Sequence, residues 1–415
     1  MVLDFCFVKT FTVTGGVAGP APPATGFPPI HIEQAVASNV TTYYRRVDIY
    51  ESDGTTIYKR GAALLSGSVT VDMTRAERRT ASLSLLNTDG SLTVDRSNGF
   101  WYDKVIKIYM GVKDPAGNWE ACMGTFLIDT INSKNHSQQV DLTLRDFSKK
   151  LSYNIPYPLA WDINTPIEVV ISDLAVGGGI SPSKIDVPDT TSYIEEDRTF
   201  SSGTTRFKAM YDLATAYGYD LYFDVDGVLK MVEFTDPYTS QPQYTFLVGV
   251  DSNLSQIDRN ISDTLIYNHV PVEGETPEGV PVWGEAFNND PNSPTRIDRL
   301  GIRTKPTIKN SWVVSNAQAV EVAERALKYS SLERYEASLE TLIAPWLDVN
   351  ITVEFADPAA VPGDPTRYLL SQLEFDLGLT PTKAKVGRVT SVISASPTYP
   401  ASSLYPESTV FPGNA

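Results

Sequence analysis

Residues 69–90 read VTVDMTRAERRTASLSLLNTDG, and this stretch constrains the fold more than any other. Val69, Val71 and Met73 alternate with Thr70, Asp72 and Thr74. Beyond the charges, Ala81, Leu83 and Leu85 alternate with Ser82 and Ser84. Successive side chains of a strand point to opposite faces, so this period of two predicts a pair of half-buried strands. Residues 75–79 (RAERR) then form a charged tip between them. A lone hairpin cannot bury its apolar face, so further strands must complete a sheet. Three uses compete for the tip: a nucleic-acid contact, a protein contact, or a solvated turn.

The alternation recurs on either side. After a Gly/Pro/Ala-rich segment (residues 14–30), which follows a short strand expected at 4–13, strand candidates run from 43 to 152. The ESDG turn at 51–54 and the DPAGN and NSKNHS turns separate them. The period changes at 165. Thr165, Pro166 and Glu168 predict a capped helix whose Ile167, Val170, Ile171 and Leu174 share a face and which Gly177 stops. A second helix carrying Phe207, Met210, Tyr211 and Ala214 ends at Gly218, and a hairpin turns at Asp226–Gly227. Sheet returns from 240 to 395. There, residues 273–310 read as a polar excursion, and residues 315–329 as a helix capped by Ser315 and Gln318 that buries Ala319, Val322, Ala323, Ala326 and Leu327 against the second sheet.

The fold expected is mainly β (β-rich α+β). Its parts are an N-terminal strand and arm (1–42), an antiparallel sandwich or barrel (43–152), a small α/β insert (160–236), a second β domain with one helix (240–395) and an extended tail (396–415). High Tyr, Thr, Val and Ser with abundant Gly and Pro favour the same class.

Composition narrows the function. The net charge is −16. A chain this acidic is poorly suited to gripping phosphate backbones, which takes clustered Lys and Arg. No apolar run approaches the ~20 residues of a membrane span, and the alternating N-terminus is no secretory signal. Cys6 and Cys122 form neither a disulfide framework nor a CxxC site, and whether they pair is open. His31, His136 and His269 stand in unrelated contexts. The Gly177–Gly179 run follows a helix, whereas a phosphate cradle precedes one. Asp224, Asp226 and Glu233 mimic part of a calcium loop, but Tyr222 holds its first place and the flanks alternate like strands, which favours a β-turn. No cofactor, metal or catalytic group is expected.

Gly67, Asp72, Thr74, Arg78, Arg79 and Leu83, followed by the Asp-Gly turn, resemble a signature of minor tail proteins of tailed bacteriophages. The wider order also resembles the tail hub (baseplate hub, or tail-associated) proteins: a sheet domain, an insert with DLATAYGYDLYFDVDGVLKMVEF, a strand ending in NHVPVEGE, the helix AQAVEVAERAL, and a closing sheet. The resemblance covers residues 43–395. It implies a non-enzymatic virion protein at the tail tip. Each subunit of its homotrimer would carry two domains built like the tail-tube subunit, so that three subunits match a sixfold tube. Implied partners are the distal tail or tube ring, the tape measure protein and tail fibre or tip proteins, with viral DNA passing through unbound. No enzymatic or fibre module is expected after the last strand.

On this reading Arg75, Arg78 and Arg79 reach a neighbouring subunit or a tube-ring partner, with Arg78 or Arg79 contacting a carboxylate of another subunit, and Glu336 and Glu340 line an acidic bore. Competing readings are the hexameric distal tail ring protein, a carbohydrate-binding adhesion module whose aromatic residues stack on sugars, and a hydrolase. The second β domain argues against the first, the placement of tyrosines inside alternating strands against the second, and the scarcity of histidine against the third.

Overall fold

The computed structural model describes residues 42–95, 99–114, 117–133, 138–200, 203–234, 236–247, 256–261, 266–276, 278–339, 344–356, 367–378 and 382–388. The expected N-terminal strand and arm, the C-terminal tail, Cys6, His31, His136 and Glu340 lie outside these residues. The fold is mainly β, with one large mixed sheet and small sheets beside helices.

The first part comprises β1 (Thr42–Tyr50), β2 (Ile57–Lys59), β3 (Leu64–Asp72), β4 (Arg79–Leu86), β5 (Val105–Asp114), β6 (Gly117–Ser133) and β7 (Gln139–Arg145), followed by the single turn α1 (Ser148–Leu151). Next come β8 (Leu159–Trp161), α2 (Ile167–Gly177), β9 (Ile185–Asp186), β10 (Arg198–Phe200), α3 (Arg206–Ala216), β11 (Tyr219–Phe223) and β12 (Leu229–Glu233). The remainder holds β13 (Tyr244–Leu247), β14 (Gln256–Ile261), β15 (His269–Glu275), β16 (Pro281–Phe287), α4 (Ile297–Leu300), β17 (Ile308–Lys309), α5 (Asn316–Ser330), β18 (Glu333–Leu339), β19 (Ile351–Ala356), β20 (Arg367–Asp376) and β21 (Thr382–Arg388).

The large sheet has 13 strands. In its first half the spatial order is β3-β4-β7-β6-β5-β1, with β2 added outside β1. In its second half it is β14-β18-β21-β20-β19-β13. Ranked along the sequence, each set of six reads second, third, sixth, fifth, fourth, first. The hairpin of fifth and sixth strands also carries a one-residue bulge at the same place in both halves, at Asp129 between Ile128 and Thr130 and at Ser371 between Leu370 and Gln372. The halves differ in one pairing: β1 runs antiparallel to β5, whereas β13 runs parallel to β19. They join edge to edge through β20. Residues 367–370 of β20 pair with β19, and residues 372–376 pair with β3. One face of both halves shares a core that includes Val47, Val69, Ile106, Phe126, Phe246, Val353 and Phe375.

A second core gathers α2, α3, β11, β12, β15, β16 and α5. The helix at 315–329 forms as the pattern predicts. The Ser315 hydroxyl accepts the Gln318 amide at 3.2 Å, and the Gln318 side chain accepts the Val314 amide at 2.9 Å. Ala319, Val322, Ala323 and Leu327 are buried. The helix lies on the β15–β16 ribbon, however, and not on the large sheet. Gly284 makes room for it: a Cβ there would sit 2.4 Å from the Val320 nitrogen. The excursion expected at 273–310 accordingly contains a strand, β16, and the short α4. The capping box at α2 does not form. Pro166 is the N-cap, the Thr165 hydroxyl donates to Asp162 O at 2.7 Å, and Glu168 accepts from Thr190 at 2.8 Å. Pro166 already fixes an extended backbone there, which leaves Thr165 one position too early to cap.

Candidate functional site: the arginine tip and the junction beneath it

The β3–β4 hairpin closes around Asp72. Its amide donates to Arg78 O at 2.8 Å, and its Oδ1 accepts the Thr74 amide at 2.9 Å and the Thr74 hydroxyl at 2.7 Å. A short acceptor at a strand end that captures the amide two residues on is an Asx turn, and it bends the chain without needing glycine. Arg75 extends outward, two-thirds exposed, with its Nε 3.4 Å from Asp72.

Arg78 and Arg79 turn inward. The Arg78 side chain is only 5% exposed; it donates to Asp220 at 2.5 Å and lies 3.9 Å over the Tyr222 ring, both on β11. Burial alone would lower its pKa, but Asp220, Asp348 and Tyr222 together outweigh that and the net shift is upward. Arg79 points to the other side of the strand and pairs with Asp348, just before β19. Its amide donates to Asp146 at 3.1 Å. Asp146 is buried, which raises its pKa, against the hydrogen bonds it accepts from Arg79 and Ser148. Glu77 at the tip pairs with Arg145 of β7. The expected partner for these arginines was a neighbouring subunit or a tube-ring protein, with Arg78 or Arg79 on a carboxylate of another subunit. In the chain itself Arg78 and Arg79 are already engaged by Asp220 and Asp348, and Arg75 is the member of the trio left facing outward.

Beneath the tip lies a cavity of about 380 Å³, where the large sheet, the α/β part and α5 meet; Met73, Tyr211, Tyr219, Phe234, Tyr329 and Leu369 are among its walls. Arg325 closes one side by donating to the last carbonyls of α3, Thr215 O at 3.2 Å and Ala216 O at 3.1 Å. Cations at a helix C-terminus meet carbonyls that have no partner inside the helix.

The other candidates resolve structurally. Asp224 accepts the Asp226 and Val228 amides, each at 2.9 Å, and Gly227 has φ +69°, so the calcium-like stretch is a β-turn. No group of His, Cys, Asp or Glu suited to a metal ion occurs among the described residues. His269 is stacked on Phe287 and held between Thr304 at 2.9 Å and Glu285 at 3.1 Å, a cross-strand clamp. Cys122 is a thiol whose burial pushes its pKa up to about 11. Glu336 lies on β18. The sequence reading missed a buried network on β1, β5 and β6, where Arg46 engages Asp48 and Glu120, Tyr44 donates to Glu120 at 3.1 Å, and Arg46 lies 4.1 Å over Tyr109. Tyr44, Arg46 and Asp48 alternate with Tyr43, Val47 and Ile49, the same pattern a solvated strand face would give.

No family model matches the sequence, and no curated protein matches it. Solved structures do. A tail protein from Neisseria meningitidis aligns with a TM-score of 0.56 over 83% of this chain and 96% of its own, at 14% identity. The 43 kDa tail protein of prophage MuSo2 from Shewanella oneidensis aligns at 0.54 over 83% and 98%, with 13% identity. A chain of the lidless PdpA–VgrG complex aligns at 0.50 over 86% and 67%, with 8% identity. The protein therefore has the fold of phage tail proteins.

Proposed function

We propose that this protein is a structural virion component, the tail hub at the distal end of a phage tail, acting without catalysis. The observation that carries the reading is the repeated six-strand order within one chain, on a fold shared along nearly the whole length of two tail proteins. Two tube-like units per chain let three copies present six units, which adapts a sixfold tube to a threefold tip. The remainder (the α/β part, the β15–β17 ribbon and α5) is a brace beside these units. The hexameric ring alternative needs one such unit per chain and is less well matched. Partners on this reading are the tube or distal ring, the tape measure protein and tip or fibre proteins.

DNA passes such a ring without adhering. Duplex DNA carries one charge per ~1.7 Å of axis, and contacts from Lys and Arg accumulate into tight binding. A chain of net charge −16 can supply a neutral or acidic bore, with Glu336 and Glu340 as candidate lining residues. Electron microscopy of the purified protein tests the reading. A threefold ring with six sheet units around an acidic opening is the expected image; a monomer, a sixfold ring of whole chains or a basic bore overturns it.

A further inference from the structure

The cavity beneath the tip has the make-up of a binding site. Its volume, about 380 Å³, lies in the range of small-molecule pockets, ~300–1,000 Å³. Four rings stand in its wall: Tyr211 of α3, Tyr219 of β11, Phe234 just after β12 and Tyr329 of α5. All four remain half-buried, so water reaches them. Phe234 and Tyr329 meet edge to face, with centroids 4.6 Å apart and planes at 88°. The Tyr329 hydroxyl donates to Asn350 Oδ1 at 3.4 Å, which steadies its ring. Aromatic walls of this kind favour an aromatic guest, because ring pairs gain more than their buried area alone accounts for.

The same wall carries an under-compensated cation. Arg325 Nη2 donates to the Thr215 and Ala216 carbonyls, which are neutral acceptors. Its Nη1 lies 3.7 Å from Glu321, beyond hydrogen-bond range, and the Glu321 side chain is 67% exposed. A carboxylate that far into water is screened. Burial accordingly lowers the Arg325 pKa, against the pull of Glu321 and Glu324. Nη1 is the atom nearest to Gly218 of the wall, 3.3 Å from where a Cβ on that glycine would sit. The acid in the wall, Asp220, is engaged by Arg78. Lys305 adds positive charge to the wall, its Nζ donating to Ser330 Oγ at 3.0 Å. It belongs to a stretch, residues 296–309, that holds Arg296, Arg299, Arg303, Lys305 and Lys309 against a single acid, Asp298, in a chain of net charge −16. A local field of that sign draws anions toward the cavity.

We infer that this cavity binds a small aromatic carboxylate, its ring among Tyr211, Tyr219, Phe234 and Tyr329 and its carboxylate toward Arg325 Nη1. A guanidinium presents its donors in a fork that matches a carboxylate. A charged hydrogen bond made where little water enters is stronger than one made in bulk water. The ligand touches the large sheet, the α/β part and α5 at once, so its binding ties the three together and adds stability by mass action. The inference rests on the cavity alone and stands apart from the hub reading.

The test uses the full chain and 3-phenylpropionate, with 3-phenylpropionamide as its uncharged counterpart, in titration calorimetry and thermal unfolding. The acid is expected to bind saturably and to raise the melting temperature. It is expected to bind about tenfold tighter than the amide, or more, as fits the loss of one charged hydrogen bond. Arg325→Gln is expected to erase that difference and leave acid and amide equal; a merely structural role for Arg325 would weaken both alike. Ala326→Phe, which fills the cavity from α5, is expected to abolish binding of both with unchanged circular dichroism. Ser371→Phe fills it from the large sheet and serves in its place if the first variant misfolds. Equal affinities of acid and amide for the unaltered protein, or no saturable binding of either at millimolar concentration, overturn the inference. Binding that survives a folded cavity-filling variant overturns it too, since the ligand then sits elsewhere. So does binding confined to a peptide that ends in phenylalanine, because the occupant is then a partner chain and not a small acid.

Discussion

Arg78→Ala separates the buried tip from a solvated one. The Arg78 side chain is 5% exposed and its partner Asp220 is 19% exposed, with 2.5 Å between donor and acceptor. Removing one member of a buried pair costs roughly 3–5 kcal/mol, because the partner's charge is left without compensation. Asp220 keeps some water, so Arg78→Ala is expected near the lower end, about 2–4 kcal/mol, including the stacking on Tyr222. Asp220→Ala strands a guanidinium with almost no water and is expected at about 3–5 kcal/mol. The double variant removes both charges, and the cycle is expected to show a coupling of about 1.5–3 kcal/mol. Arg75→Ala, which removes an exposed charge, should stay within about 0.5 kcal/mol. Urea unfolding followed by circular dichroism measures all four. The reasoning fails if Arg78→Ala costs under about 1 kcal/mol and the coupling is below about 0.5 kcal/mol. The guanidinium would then be hydrated, and the tip available for an external carboxylate.

Three further outcomes follow from the same geometry. Gly284→Ala places a methyl 2.4 Å from backbone of α5, which cannot move aside like a flexible side chain, so a loss of about 1–3 kcal/mol is expected in thermal or urea unfolding. The Cys122 pKa, raised to about 11, means the thiol favours folding below its unfolded value of ~8.5 and that this contribution is lost as pH rises through 11. In a Cys6→Ser background, iodoacetamide at pH 8.5 should therefore modify Cys122 slowly in the native protein and rapidly in urea. Arg75→Glu should weaken assembly at low salt without lowering the melting temperature; assembly unchanged by that reversal, measured by light scattering, would leave Arg75 a solvated side chain.

What was legible in the sequence was local. The hairpin around the RAERR tip, the turn at Asp226–Gly227 and the cap at Ser315 each depend on residues within a few positions of one another, and each formed. The partners of Arg78 and Arg79 stand 142 and 269 positions away, where periodicity carries no information. The sequence did place Arg78 and Arg79 at a charged tip, which normally means solvent; they are buried because β11 of the α/β part meets Arg78 while Met123 and the segment before β19 meet Arg79. β16 escaped notice because Pro281 and Gly284 interrupt its alternation, and Gly284 is there for the helix above it. The repeated strand order is likewise invisible at residue level. Counted across the paired strands from the matching bulges, Val69 corresponds to Ile261 and both are apolar, but Ala81 corresponds to Tyr335 and Ser133 to Phe375. Pairing order and bulge position survive such exchanges, because they depend on backbone hydrogen bonds and not on side-chain identity.

The position of the tip explains why its arginines are turned inward. β3 is the strand through which the two halves join, and the tip extends directly from its end. Five backbone pairs fix the register of that join, from Ser68 opposite Asp376 to Asp72 opposite Gln372, but a two-strand contact remains free to twist over tens of degrees. Arg78 and Arg79 leave the same point on opposite sides, one to β11 of the α/β part and one to Asp348 at the start of β19. A guanidinium on each side resists rotation of β3 in either direction; the Arg78 pair has the less access to water and is screened least by salt, whereas Asp348 of the Arg79 pair is exposed. On the hub reading this rigidity has a use. A ring of repeated sheet units closes only if the two units within each chain keep a fixed angle to one another. The arginines at the tip would then act on assembly from within each subunit, by setting the angle that the next copy must match.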